Sequence, residues 1–153
     1  MRLINFAITA VIFCACATLG GERHRIVVIR NVTVSYQELK NFIQQIMPVG
    51  IKSQSDNGRE MFSQEYVYEH NQYAPAKDAD IRYNARILVL NSSRPFDIEI
   101  EVRKEKRSDH NGTIHYVDKG SDIPMSKLLR QQLKDRLAKR RDDMNLIDDF
   151  RVF

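Results

Sequence analysis

Cysteine is nearly missing from this chain, and where it does occur is informative. The 153 residues hold two, Cys14 and Cys16, in the stretch VIFCACATLG. One intervening residue would close a strained ring, because a disulfide needs its Cα atoms about 4.4–6.8 Å apart with defined torsions. No third cysteine exists to pair with either, so a disulfide framework is excluded. A C-x-C pair without clustered histidines is also a poor metal site. No Gly-rich phosphate loop, G-x-S-x-G or H-E-x-x-H occurs among the residues, and each absence removes a familiar catalytic class. No internal repeat or low-complexity segment is present either.

What is there is the composition of a soluble globular domain. Hydrophobic residues make up 42% and charged residues 29%, without the compositional marks of disorder. A chain of 17.9 kDa is about one domain long and hides roughly two-thirds of its surface on folding. The net charge of +4 and pI near 9.1 favour acidic partners such as anionic lipid, glycolipid or nucleic acid. A charge of this size also serves ordinary solubility.

The cysteines find a place in the first residues. Met1 and Arg2 form a short positive region, Leu3 to Phe13 an apolar run, and Ala15, Cys16, Ala17 and Thr18 are small. This is the layout of a secretory signal peptide, and the run falls short of the roughly 20 residues of a membrane span. Ala15-Cys16-Ala17 fits cleavage by ordinary signal peptidase, with the mature chain starting at Thr18. The quartet Phe13-Cys14-Ala15-Cys16 resembles the lipobox of bacterial lipoproteins, with Phe13 in place of the usual Leu. That resemblance covers the export signal alone. It implies cleavage before Cys16, acylation of Cys16, and, with Ala17 following, a place at the periplasmic face of the outer membrane.

Residues 1–17 are therefore expected to be a cleaved signal, 18–24 a linker, 25–142 one α+β domain and 143–153 an acidic and apolar tail. Within the domain, Arg25 to Arg30 reads as a strand. Ser35 and Glu38 form a capping box, and Val34 can staple to Leu39. Leu39, Phe42, Ile43 and Ile46 then share a helical face that Pro48 and Gly50 close. IKSQSDNGRE reads as a loop, EMFSQEYVYE as one strand and HNQYAPAKDAD as a loop.

Two strongly alternating strands follow. Tyr83, Ala85, Ile87 and Val89 lie on one face of the first; Phe96, Ile98, Ile100 and Val102 lie on one face of the second. To share a face, paired residue numbers must have an odd sum; setting Val89 opposite Phe96 also puts Arg86 opposite Glu99. Asn111-Gly112 predicts a tight hairpin with TIHYVD returning. Asp122 caps a last helix with Pro124 in its first turn and Met125, Leu128, Leu129, Leu133 and Leu137 in one stripe. The order β-α-β-β-β-β-α predicts a two-layer α+β sandwich with a mostly antiparallel sheet of four to five strands and two helices.

Chemistry is hard to place. His24, His70, His110 and His115 are scattered; His110 and His115 flank the Asn-Gly turn and read as an exposed hairpin tip. Glu99 and Glu101 read as cross-strand partners of arginines. Neither an enzyme nor a cofactor nor a metal site is expected. The strongest positive feature is a basic helix carrying Lys127, Arg130, Lys134, Lys139, Arg140 and Arg141, with Lys104, Lys106 and Arg107 at the sheet edge. An export signal argues against nucleic acid as the natural partner, and anionic lipid or glycolipid suits the same charge. In the tail DDMNLIDDFRVF, Phe150, Val152 and Phe153 either dock on the domain or bind a partner. The element order is loosely similar to small envelope lipoproteins that assist outer-membrane assembly or lipopolysaccharide transport. The expectation is a non-enzymatic, lipid-anchored periplasmic module with an envelope protein partner. The alternative is a soluble secreted or periplasmic protein that binds an anionic ligand through its basic helix.

Overall fold

The computed structural model describes the backbone of residues 26–149 and the side chains of residues 26–140. Its first strand, β1 (Val27–Val32), is the β-branched run expected. The helix α1 (Tyr36–Ile46) starts where the capping box puts it. The Glu38 N–H donates to Ser35 Oγ at 3.3 Å, and the Ser35 N–H donates back to Glu38 Oε2 at 3.1 Å. Two amides that a helix start would leave unpartnered are thereby satisfied. Leu39 and Ile43 are fully buried, each worth about 1.5–3 kcal/mol relative to exposure.

The region after α1 departs from expectation. Residues 51–75 form two hairpins, β2 (Ile51–Gln54) with β3 (Glu60–Ser63) and β4 (Tyr66–Glu69) with β5 (Gln72–Pro75). The single strand expected over 60–69 breaks at Gln64-Glu65, and both flanking loops contribute a strand. The β4–β5 turn uses His70 and Asn71, both left-handed at φ 49 and 61, so it is a tight hairpin without the glycine that would advertise it.

The long strands β6 (Ile81–Leu90) and β7 (Phe96–His110) form the middle of the sheet, and β8 (Thr113–Ser121) returns through Asn111-Gly112. Both turn residues have positive φ, 54 and 78, the mirror-image turn that Asn-Gly favours. The β6–β7 register has the odd sum that the faces demand, but it lies two residues from the pairing expected. Val89 sits opposite Ile98, and Arg86 opposite Glu101. Among the described residues the sheet thus has eight antiparallel strands, not four to five, in the order β1-β7-β6-β3-β2, with β8 beside β7, and β4 between β6 and β5. The α+β two-layer arrangement stands.

Since β7 is so long, β1 and β8 share one of its edges in succession: β1 pairs from Phe96 to Ile100, β8 from Arg103 to His110. Helix α2 (Ile123–Asp149) begins at this junction. Asp122 Oδ1 accepts from the Met125 N–H at 3.0 Å, as a cap should. The backbone of 143–149, expected to lie in the tail, continues this helix. Both helices lie on one face of the sheet. Met125, Leu129 and Leu133 join Leu39, Ile43, Ile87, Ile98 and Ile100 in a single core.

The opposite sheet face carries a charge ladder. Arg82 pairs with Glu105 at 2.6 Å, Arg86 with Glu60 at 2.5 Å, and Arg103 with Asp118. Glu101 is buried and accepts from Ser121 Oγ at 2.7 Å. The expected Arg86–Glu99 pairing is replaced: the register sets Arg86 opposite Glu101, and its guanidinium pairs with Glu60 on β3.

Candidate functional site

The basic residues of α2 divide once the helix is built. Lys127, Arg130 and Lys134 recur at spacings of three and four, which puts them on one flank of the helix. Arg141, seven residues beyond Lys134, falls on the same flank, where the backbone alone is described. Lys139 is exposed but lies off this stripe. Arg140 is turned inward to α1, its guanidinium on Glu38 Oε1 at 2.8 Å. The Ser35 hydroxyl, and then Arg140, hold the Glu38 carboxyl below its ordinary range. Arg130 Nε is buried without a hydrogen-bond partner among the described residues. So the six cations do not form one face; three described ones and the position of a fourth do.

Lys134 of this stripe looks across a groove at β1. Arg30, Asn31 and Thr33 form one wall; Lys134, Leu137 and Ala138 form the other, around a volume of about 340 Å³. Its far wall is a sheet edge, because among the described residues no strand pairs with the outer side of β1. Antiparallel alternation sends the backbone groups of Val27 and Ile29 to β7 and those of Val28 and Arg30 outward. The strand bulges at Asn31, whose φ is 60 and whose N–H donates to Asp97 Oδ1 at 3.0 Å. An open strand edge is a template for another extended segment. Here it lies beside a cationic helix flank, with Leu137 between.

A second hollow of about 390 Å³ lies between the end of α1 and α2, lined by Pro48, Tyr73, Gln132 and Arg136. Its polar groups are engaged with each other: Arg136 donates to Gln45 at 2.9 Å and the Tyr73 hydroxyl meets Gln132 at 3.4 Å. It offers little that is free to grip a ligand.

The histidines do not converge. His110 stands opposite Thr113 and His115 opposite Ser108. Among the described residues no three His, Cys, Asp or Glu side chains come together as a metal site. Cys16, Phe150, Val152 and Phe153 lie outside the described residues, and so do His24 and the export signal.

Sequence reasoning found the basic helix and missed the groove. Its only trace in the sequence is Arg30-Asn31, two polar residues that break the β-branched run of β1 and mark a bulged, exposed edge. None of the described helices is long and apolar enough to cross a membrane. Comparison of the chain with protein-family models, with curated proteins and with solved structures finds no match.

Proposed function

We propose that this protein is a non-enzymatic binding or scaffolding module of the bacterial envelope, lipid-anchored through Cys16, that seats an anionic segment of a partner protein in the β1–α2 groove. The observation that carries this reading is the groove, where an unpaired strand edge faces Lys134, with Arg30 and Arg140 also in its lining. Strand addition supplies backbone hydrogen bonds, and side chains along the groove supply specificity. An acidic segment is favoured because the charged residues that line the groove, Arg30, Lys134 and Arg140, are all cations. The lipobox-like residues Phe13 to Cys16 supply the anchor, and residues 18–24 the leash.

The test has two arms. Palmitate labelling and intact mass, read beside Cys16→Ser, report on the anchor: label and added acyl mass lost in the variant support it. A photocrosslinking residue at Thr33 and, separately, at Ala138 reports on the groove, since these exposed positions lie on opposite walls. The same adduct from both positions supports the reading. Adducts of different mass, or none, overturn it. A protein that starts at Thr18 without lipid, yet keeps the groove adduct, turns the reading into that of a soluble periplasmic or secreted binder.

A further inference from the structure

The described residues include three exposed large hydrophobic side chains, and all three sit at one end of the sheet. They are Ile81 at 39% exposure, Ile114 at 45% and Val117 at 44%. Ile81, Lys106 and Val117 form one row across β6, β7 and β8, each directly opposite the next. Strand alternation puts this row on the same face as Val102 and Ile100, the side that carries the helices. But α2 starts beside Val102 and runs back over Ile98 and β1, so beyond Lys104 no described helix covers that face.

The charges of this end are sorted by face. Lys104, Lys106, His110 and His115 share the bare side with Ile81 and Val117, and Lys119 lines the same shallow hollow as Lys106 and Val117. The strand acids Glu105, Asp109 and Asp118 take the other side. There Glu105 is bound to Arg82, Asp118 to Arg103, and Asp109 accepts from the Gly112 N–H at 3.0 Å. That other side is also closed by Arg82 stacked on Tyr116, 3.6 Å from the ring centre. Asp78 and Asp80, in the loop before β6, meet Arg107 through their backbone carbonyls. The bare face therefore combines two of the three exposed apolar side chains, Ile81 and Val117, with lysines for which no ion pair occurs among the described residues. Ile114, opposite Asp109, lies on the other face.

We infer that this bare face of the β6–β7–β8 end is a membrane-contact surface that rests on anionic lipid headgroups. A bilayer interface takes apolar side chains into its outer layer and attracts lysines, each worth about a threefold to tenfold gain in partition near an anionic surface. An acidic protein would answer the lysines, but a flat two-sided hairpin offers it no groove. The inference rests on the anchored reading above, and the geometry of the leash agrees with it. The described chain starts at β1, where Val27 lies opposite Ile100. From Ile100 to His110 the strand climbs about 34 Å. The chain from Cys16 to Val27, fully extended, reaches roughly 36–40 Å. An acyl group on Cys16 and the hairpin tip can thus reach the same bilayer, holding the β1–α2 groove away from it.

The test uses the full chain carrying Cys16→Ser, so that no acyl group on that residue contributes. Partition is measured by flotation onto phosphatidylcholine vesicles and onto vesicles with about one-third phosphatidylglycerol. The apolar leader acts alike in every variant, so the ratio between the two compositions is the reading. The wild-type ratio favours anionic vesicles and falls as salt screens the charges. Lys106→Gln with Lys119→Gln lowers it on the order of thirtyfold, whereas Lys40→Gln with Lys139→Gln, the same change in net charge, leaves it within about threefold. Equal loss in both double variants, or no anionic preference in the parent, overturns the inference. Because Cys16 is already replaced, failure here is distinct from failure of acylation in the wild-type protein.

Discussion

Ala85 and Val102 face each other across the two central strands, and each directs its amide N–H away from the other, onto a buried serine. Ser63 Oγ accepts from Ala85 at 2.9 Å, and Ser126 Oγ accepts from Val102 at 2.9 Å. Both serines are essentially without solvent access. The arrangement solves one problem twice. On the outer edge of β6, β3 gives way to β4; on the outer edge of β7, β1 gives way to β8. At each handover a central strand would bury an amide with no ladder partner. Each hydroxyl also donates, Ser63 to Gln64 O at 2.7 Å and Ser126 to Asp122 O at 2.8 Å, while the Asp122 N–H donates to Val102 O at 2.7 Å. The start of α2 is thereby fastened to the junction from which its basic flank is aimed at β1.

Ser126→Ala and Ser63→Ala should each cost about 1–3 kcal/mol, the penalty for a buried amide left unpaired. Urea denaturation measures it. The two losses should be similar, because each serine gives up one accepted and one donated bond while the Asp122 Oδ1 cap of α2 stays in place. A loss within about 0.5 kcal/mol at both sites would contradict this account.

Tyr66 presents the reverse case. Its ring is fully buried between Tyr73, edge-on at 5.4 Å, and Tyr83 at 5.8 Å. Its hydroxyl has no hydrogen-bond partner among the described residues, and burial pushes its pKa far above the ordinary tyrosine range. Removing an unsatisfied polar atom while keeping the ring should be neutral or stabilising by up to about 1 kcal/mol, so Tyr66→Phe should raise the denaturation midpoint. Tyr66→Ala removes the ring and should cost about 3–5 kcal/mol. A Phe variant less stable than wild type would mean that the hydroxyl is satisfied by ordered water.

Legibility in the sequence followed contrast between faces. Helix α1 was readable to its cap because Ser35, Glu38 and the Leu39-Ile43-Ile46 stripe agree. The β6–β7 pair was readable because one face is apolar and the other charged. Its parity came from that contrast, but the offset of two residues did not, since every odd sum satisfies the pattern. The offset is set by the loop 91–95, where Asn91 takes φ 67 and Arg59 bonds to the Asn91 carbonyl. Strands β2 and β5 were invisible because residues 52–54 and most of 72–75 are exposed on both faces. The groove was illegible for another reason: Arg30 and Lys134 are distant in sequence and meet only when β1 is an edge and α2 crosses beside it.

The Ser35–Glu38–Arg140 cluster predicts a pH dependence. The carboxyl is held low in the folded protein, first by the Ser35 hydroxyl and then by Arg140. Its contribution to stability is therefore present above the unfolded value of about 4.3 and is lost as pH falls through the lower folded value. Glu38 is 39% exposed, so solvent screening limits the effect to about 0.5–1 kcal/mol. Thermal unfolding of wild type and Glu38→Gln should differ at pH 7 and converge below about pH 3. A difference that persists unchanged at low pH would assign the effect to packing.

The groove reading makes a sharper demand on α2, because it separates residues that composition treats as equal. Lys134 lines the groove; Lys139, a residue of the same kind on the same helix, does not. If partners were held by the general charge of the helix, Lys134→Glu and Lys139→Glu would weaken capture alike, and both losses would shrink together in high salt. If the groove holds an acidic segment against β1, only the first should act strongly. Reversal of one close charge pair changes affinity by roughly tenfold or more, while a remote exposed charge changes it by less than about threefold. The adduct formed from Thr33 gives the comparison directly, since its yield reports occupancy of the opposite wall. A strong drop in Lys134→Glu with near wild-type yield in Lys139→Glu places the partner in the groove. Equal yields in the two variants would move it off the edge strand and return the basic helix to a solvated surface.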